Sequence, residues 1–193
     1  MSLLHDSYTA LLSGLTTKTG NEIYWEDEDG IPITIEPVDV SKEKYILREY
    51  YENGNKYRER EYQNGKLHGK STWWHKNGNK EVEIEYQNNR FHGKYIEWYE
   101  NGNKSSEIDY QDGKIHGKFI EWYRTGNKCR EEDYQNGKLH GKRITWYENG
   151  KKECEEEFQN GQHHGKSTGW GKTGKTKIWQ YKYQNGNLIA VRC

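Results

Sequence analysis

Three sets of residues in this chain have types and spacings that could carry chemistry. The stretch GWGKTGKT, residues 169–176, satisfies the phosphate-loop pattern G-x-x-x-x-G-K-[ST] through Gly169, Gly174, Lys175 and Thr176. Loop amides and a helix N-terminus would then converge on the phosphates of a nucleotide, provided that a strand precedes the loop and a helix follows it. Acidic residues recur in alternate pairs: Glu59/Glu61, Glu83/Glu85, Glu107/Asp109, Glu131/Asp133 and Glu155/Glu157. Such pairs could ligate a cation or form a catalytic dyad. Histidines recur in the tripeptide His-Gly-Lys at 68–70, 92–94, 116–118, 140–142 and 164–166, and imidazole serves both as metal ligand and as general base.

What these groups can do depends on the elements that hold them, and repetition defines the elements. Every His-Gly-Lys step is 24 residues. Trp74, Trp98, Trp122, Trp146 and Trp170 keep the same interval, as do Gly54, Gly78, Gly102, Gly126, Gly150 and Gly174. One unit, HGKYIEWYENGNKSSEIDYQDGKI (92–115), holds two turn signals, Asn101-Gly102 and Asp112-Gly113, between runs rich in Tyr, Trp and Ile. These dipeptides favour two-residue hairpin turns in which both central residues take positive φ. Two such turns and two strands of about ten residues fill the unit, which predicts an antiparallel meander with no room for a helix. Gly174 is then the sixth glycine of a hairpin series, and TKIWQYKYQ beyond it alternates as a strand. The phosphate-loop match is a coincidence of the repeat. Six units run from residue 44; the first lacks His-Gly-Lys and the sixth is one residue longer. A bulge or longer loop between Gly174 and Tyr183 should absorb the difference.

Two-residue turns fix register, and register fixes neighbours. The first turn opposes Gly93 to Tyr110, Lys94 to Asp109, Tyr95 to Ile108 and Ile96 to Glu107. The second opposes Tyr110 to Ile115, Asp109 to His116 and Glu107 to Lys118. Both assign each residue to the same face. One face carries Tyr95, Tyr99, Ile108, Tyr110 and Ile115, with each Tyr opposite a Gly whose bare backbone its ring can cover. The other carries Trp98 and Ile96 beside an ionic lattice. There Asp109 is expected between Lys94 and His116, and Glu107 between Ile96 and Lys118. On this register the acidic pairs are halves of cross-strand ion pairs, each contributing about 0.2–1 kcal/mol. Successive ladder histidines lie two strands apart, about 9.6 Å, too far to share a metal. His163 and His164, adjacent in a strand, point to opposite faces. With no Ser-His-Asp or Cys-His arrangement in view, the expectation is a protein that is not an enzyme and has no catalytic residue, metal or cofactor.

Composition supports a thin fold. Hydrophobic residues make up only 31% of the 193, yet aromatics reach 14%, and 30 basic residues balance 30 acidic ones. Disordered chains pair low hydrophobicity with net charge and few aromatics, so this chain reads as folded, with little interior and much surface. Zero net charge gives no long-range pull toward nucleic acid or anionic membrane. Cys129, Cys154 and Cys193 lack any paired spacing and suit free thiols in a reducing compartment. His5 and Asp6 spoil a signal peptide, and no apolar stretch is long enough to span a bilayer. The expectation is a soluble intracellular protein, cytoplasmic in its producing or host cell.

Tyr110, Gly113, Gly117, Trp122, Tyr123 and Gly126 follow the pattern aromatic-x-x-Gly-x-x-x-Gly, then Trp-aromatic-x-x-Gly. This resembles the MORN repeat, and in particular its variant form in bacterial and large-DNA-virus proteins, some described as antitoxins. The likeness covers about residues 44–188. It implies a single-layer twisted antiparallel sheet acting as a scaffold or assembly surface, with phospholipid binding claimed for some relatives and catalysis, where present, carried by another domain.

The expected architecture is therefore all-β: an elongated single-layer meander of six repeats over 44–187 with a short helix-and-hairpin cap. The cap spans 1–43, with a helix about 2–13 read from Leu4, Tyr8, Leu11, Leu12 and Leu15, and a divergent hairpin about 21–36. An apolar edge strand over 188–193 presents Leu188, Ile189 and Val191 for a tail-to-tail homodimer. The favoured function is protein–protein interaction through the aromatic face, with Trp74, Trp98, Trp122, Trp146 and Trp170 as partner-binding residues. An antitoxin-like binder is a special case of it. Lipid association is the alternative, although alternating charges argue against an electrostatic anchor. Nucleic-acid binding is disfavoured, because carboxylates interleave with the lysines and would repel phosphates.

Overall fold

The structure, a computed structural model, describes residues 23–26, 32–35 and 38–192. They form one antiparallel sheet in which each strand pairs with the next in chain order. The strands are β1 (Ile23–Glu26), β2 (Pro32–Ile35), β3 (Lys44–Tyr51), β4 (Lys56–Gln63), β5 (Lys66–Trp74), β6 (Lys80–Gln87), β7 (Arg90–Trp98), β8 (Lys104–Gln111), β9 (Lys114–Trp122), β10 (Lys128–Gln135), β11 (Lys138–Trp146), β12 (Lys152–Gln159), β13 (Gln162–Trp170), β14 (Lys177–Gln184) and β15 (Asn187–Arg192). The helix expected over 2–13 lies outside the described residues. Thr176 is followed directly by strand β14 rather than by a helix, which removes the structural context a phosphate loop needs.

The two turn signals build different connections. Asp112-Gly113 is the expected two-residue turn: Gln111 pairs with Lys114, and both turn residues have positive φ, 50° and 79°. Asn101-Gly102 is not. Trp98 pairs with Lys104, leaving the five residues Tyr99–Asn103 as a loop, and only Gly102 takes positive φ. Asn101 instead accepts the Asn103 N–H through its side chain (3.1 Å), an Asx turn. The Asn103 amide donates to the Arg124 carbonyl of the next loop (3.0 Å). Asn79 and Asn127 make the equivalent bond to Glu100 and Glu148 (2.9 and 2.8 Å). Each strand from β3 to β14 is accordingly eight or nine residues long rather than ten. In the sixth unit Trp170 pairs with Lys177, so the extra residue lengthens the loop to Gly171–Thr176.

A second departure lies inside His-Gly-Lys. Tyr110 pairs with Ile115 as expected, but Ile108 then pairs with Phe119 and Glu107 with Ile120. Asp109 therefore faces a bulge made of His116, Gly117 and Lys118. The expected pairs Asp109–His116 and Glu107–Lys118 do not form. Because the register slips by two residues rather than one, every side chain keeps its face. The carboxylate of Asp109 fills the bulge, accepting the Lys118 N–H at 2.9 Å. Glu85, Asp133 and Glu157 do the same for Lys94, Lys142 and Lys166 at 3.0–3.2 Å. Atoms that a side chain at Gly93 would meet belong to Glu85, so a carboxylate, not a tyrosine ring, occupies the space beside that glycine.

Candidate interaction surface

Pairing carries the repeat across the sheet in straight rows, and the rows define two faces of different chemistry. On the first, Arg48, Glu59, Thr72, Glu83, Ile96, Glu107, Ile120, Glu131, Ile144, Glu155 and Thr168 stand side by side. The tryptophans Trp74, Trp98, Trp122, Trp146 and Trp170 lie at matching positions along their strands on this face, all half-buried. A lysine ammonium sits over each ring: Lys56, Lys80, Lys104, Lys128 and Lys152, at 5.2–5.8 Å from the ring centre. The same ammonium binds a carboxylate three residues along, as Lys104 does Glu107 (2.6 Å) and Lys128 does Glu131 (2.7 Å).

Four of those carboxylates, Glu83, Glu107, Glu131 and Glu155, are also bound from the preceding strand by a His-Gly-Lys lysine, and the fifth, Glu59, by Arg48. Lys94 reaches Glu107 (2.7 Å) and Asp109 (2.6 Å), and Lys118 reaches Glu131 (2.8 Å) and Asp133 (2.6 Å). Burial alone would raise Glu107, but Lys104 and Lys94 outweigh it and hold the carboxyl below its ordinary range. Lys118 and then Lys128 lower Glu131, while Asp133 and Glu131 raise Lys118. Both partners are thus charged at neutral pH, and Glu107, Asp109, Glu131 and Asp133 are held in the lattice. Among the described residues no group of three His, Cys, Asp or Glu side chains is placed to hold a metal.

Four of the five tryptophan carbonyls accept a tyrosine hydroxyl from the preceding unit: Tyr51 to Trp74, Tyr99 to Trp122, Tyr123 to Trp146 and Tyr147 to Trp170, each at 2.8 Å. Those four tryptophans are therefore anchored at their backbone, and all five rings are covered on one flank. The sequence pattern placed the tryptophans on one face but showed neither the tyrosine tie nor the lysine cover. The constant intervals from Tyr99 to Trp122 and from Lys104 to Trp122 were the available signal.

The second face holds most of the buried side chains, Thr72 and Thr168 on the first face being buried as well. Leu47, Ser71, Ile84, Glu132 and Ser167 share one of its rows, and Glu49 and Ser106 the next. Among the described residues no second layer covers these groups, so neighbouring side chains of the same sheet bury them, as the coiling of a twisted sheet allows. An aromatic seam runs beside them: Tyr45–Tyr62 stacked at 4.9 Å, then Tyr86–Phe91–Tyr110 at 5.1–5.2 Å. Ion pairs lie within it. Glu49, 2% exposed, binds Arg58 and Arg60; Glu132, 1% exposed, binds Arg143 (2.9 Å) and Arg130 (3.6 Å) and accepts the Tyr134 hydroxyl (3.0 Å). Burial, then Glu156 and Glu153, push the Cys154 thiol up to about 12, so it is protonated and a poor nucleophile at neutral pH.

A one-layer meander whose side chains are occupied with one another in every unit is a repeat scaffold. The family model described as the MORN repeat variant matches residues 46–64, 67–88, 91–112, 115–136 and 139–160, and the chain belongs to this family. Repeats of this kind are non-enzymatic modules for interaction with proteins or membranes. No curated protein matches the chain. Among the described residues, no helix is long and apolar enough to cross a membrane.

Proposed function

We propose that the protein is a non-catalytic scaffold that binds a protein partner through its tryptophan face, with Trp98, Trp122 and Trp146 at the centre. The observation that carries this reading is the anchoring of those indoles. A lysine ammonium covers all three rings, and tyrosine hydroxyls hold the backbone carbonyls of Trp122 and Trp146; side chains so constrained lose little freedom on binding, and preorganised aromatic residues are strong interface anchors. The test is affinity capture from the source cell with wild-type protein and with Trp98, Trp122 and Trp146 all changed to Ala, the variant's fold being checked by circular dichroism. Proteins captured by the wild type should be lost from the variant. Identical capture by both baits overturns the reading.

The same scaffold is proposed to dimerise through β15, an open edge among the described residues. Leu188, Ile189 and Val191 there are 51%, 51% and 56% exposed, and an apolar edge strand is a template for pairing with a second copy. Light scattering should show a dimer that Val191→Lys reduces to monomer. A wild-type monomer at high micromolar concentration sinks the proposal.

A further inference from the structure

The ionic lattice of the tryptophan face is broken at its C-terminal end. In unit after unit the His-Gly-Lys lysine meets carboxylates on the following strand: Lys70 meets Glu83 (3.1 Å) and Glu85 (4.0 Å), Lys94 meets Glu107 and Asp109, and Lys118 meets Glu131 and Asp133. Lys142 meets Glu155 (2.7 Å) and stands directly opposite Glu157. On β14 the two equivalent positions are Gln180 and Lys182. Lys166 is paired in register with Lys182, and Thr168 with Gln180. Like charges directly opposed on one face of a sheet are destabilising. Neither lysine has an ion-pair partner among the described residues. Glu157, on the strand before, accepts the Lys166 backbone N–H at 3.1 Å but forms no ion pair with either ammonium. Between Phe158 and Cys193 the chain has five lysines, one arginine and no Asp or Glu. Lys166, Gln180 and Lys182, with Tyr181 and Ala190, line a cleft of about 220 Å³.

We propose that this cleft binds the carboxylates of an acidic protein segment, with Lys166 and Lys182 as the cations and the Gln180 amide as a further donor. Carboxylates are favoured over phosphates by the lattice itself. At this register the earlier lysines already hold two acids placed at alternate residues of an extended strand, so the matching ligand carries acid-x-acid in an extended segment. The inference rests on reading the protein as a protein-binding scaffold but uses residues that the tryptophans do not. Zero net charge had concealed the site, since the charge is balanced over the chain but not along it.

The test is fluorescence anisotropy with a labelled short peptide of alternating Glu and Thr, against a single-stranded oligothymidylate and inorganic phosphate. The wild type should bind the peptide in preference to both, more weakly as salt rises. Lys182→Glu supplies the missing acid within the chain: peptide affinity should fall about tenfold or more, while the thermal midpoint rises. Lys182→Gln should weaken binding with a smaller gain in midpoint. Peptide binding should survive the triple Trp→Ala change, so failure of the tryptophan reading leaves this one standing. Peptide affinity unchanged in Lys182→Glu, no binding by the wild type, or preference for the oligonucleotide or phosphate overturns it. Pairing of two β15 edges, which brings like charges together, should instead strengthen with salt, and this separates the two events.

Discussion

Gly141→Ala should destabilise the protein by about 2–3 kcal/mol, read as a lower urea midpoint at unchanged slope. Two costs combine. Gly141 has a φ of 119°, a conformation that L-residues rarely adopt, and a Cβ built there falls 2.8 Å from the Cβ of Asp133. That atom is fixed to the backbone of β10 and cannot swing aside. Asp133 would have to leave the bulge, abandoning both the Lys142 N–H (3.0 Å) and the Lys118 ammonium (2.6 Å). Gly93→Ala is the informative comparison. There the nearest atom is the far end of the Glu85 side chain, with Cβ at 3.2 Å, so rotation relieves the clash and the loss should be smaller. Equal losses at the two sites would show that backbone conformation alone decides the cost.

The largest effect is expected at Glu132. Changing it to Gln leaves Arg143 and Arg130 converging on an uncharged, buried amide, and removing one partner of a buried pair costs about 3–5 kcal/mol. The lower end applies here, because both guanidiniums retain some contact with water. Exchanging Arg130, Glu132 and Arg143 together for Met, Leu and Met should recover most of the loss, since apolar groups of similar volume need no counter-charge. Thermal or urea unfolding of the two variants checks this. A triple variant as unstable as Glu132→Gln would mean that the ion pairs contribute net stability beyond mutual neutralisation.

How far the sequence discloses this structure differs between the two faces. On the tryptophan face the unit repeats almost unchanged, so the interval of 24 residues groups the tryptophans, and the register read across Asn101-Gly102 sets Ile96 opposite Glu107 even though the connection is a five-residue loop. The coiled face does not keep the interval. Ser71, Tyr95, Phe119, Arg143 and Ser167 occupy one equivalent position, and Ile84, Ile108, Glu132, Glu156 and Tyr181 the one beside it. Its buried pairs are particular to their units, and no periodicity announces them.

The bulge was hidden for another reason. Register propagated from a two-residue turn is correct only while the ladder is unbroken, and Gly117 lies in the middle of β9. A glycine inside a strand marks a bulge or a close approach, and the pairing that sets Gly93 opposite Tyr110 does not by itself say which. Asn101-Gly102 misled similarly. Its Asn bonds to the backbone of its own loop, which makes a two-residue turn unnecessary. The break at Lys166 and Lys182 was visible in principle, because β14 carries Gln180 and Lys182 where β12 carries Glu155 and Glu157. Reading acids as a count over the whole chain obscured where they stop.

Each strand touches chiefly the strands before and after it, and no side-chain tie described above reaches further than the next unit. Duplicating or deleting one unit would leave all the bonds inside the others unchanged. It would alter only how far apart objects held at the two ends are kept, by about a nanometre for each pair of strands. Copy number in such a tape sets reach, leaving grip to the side chains.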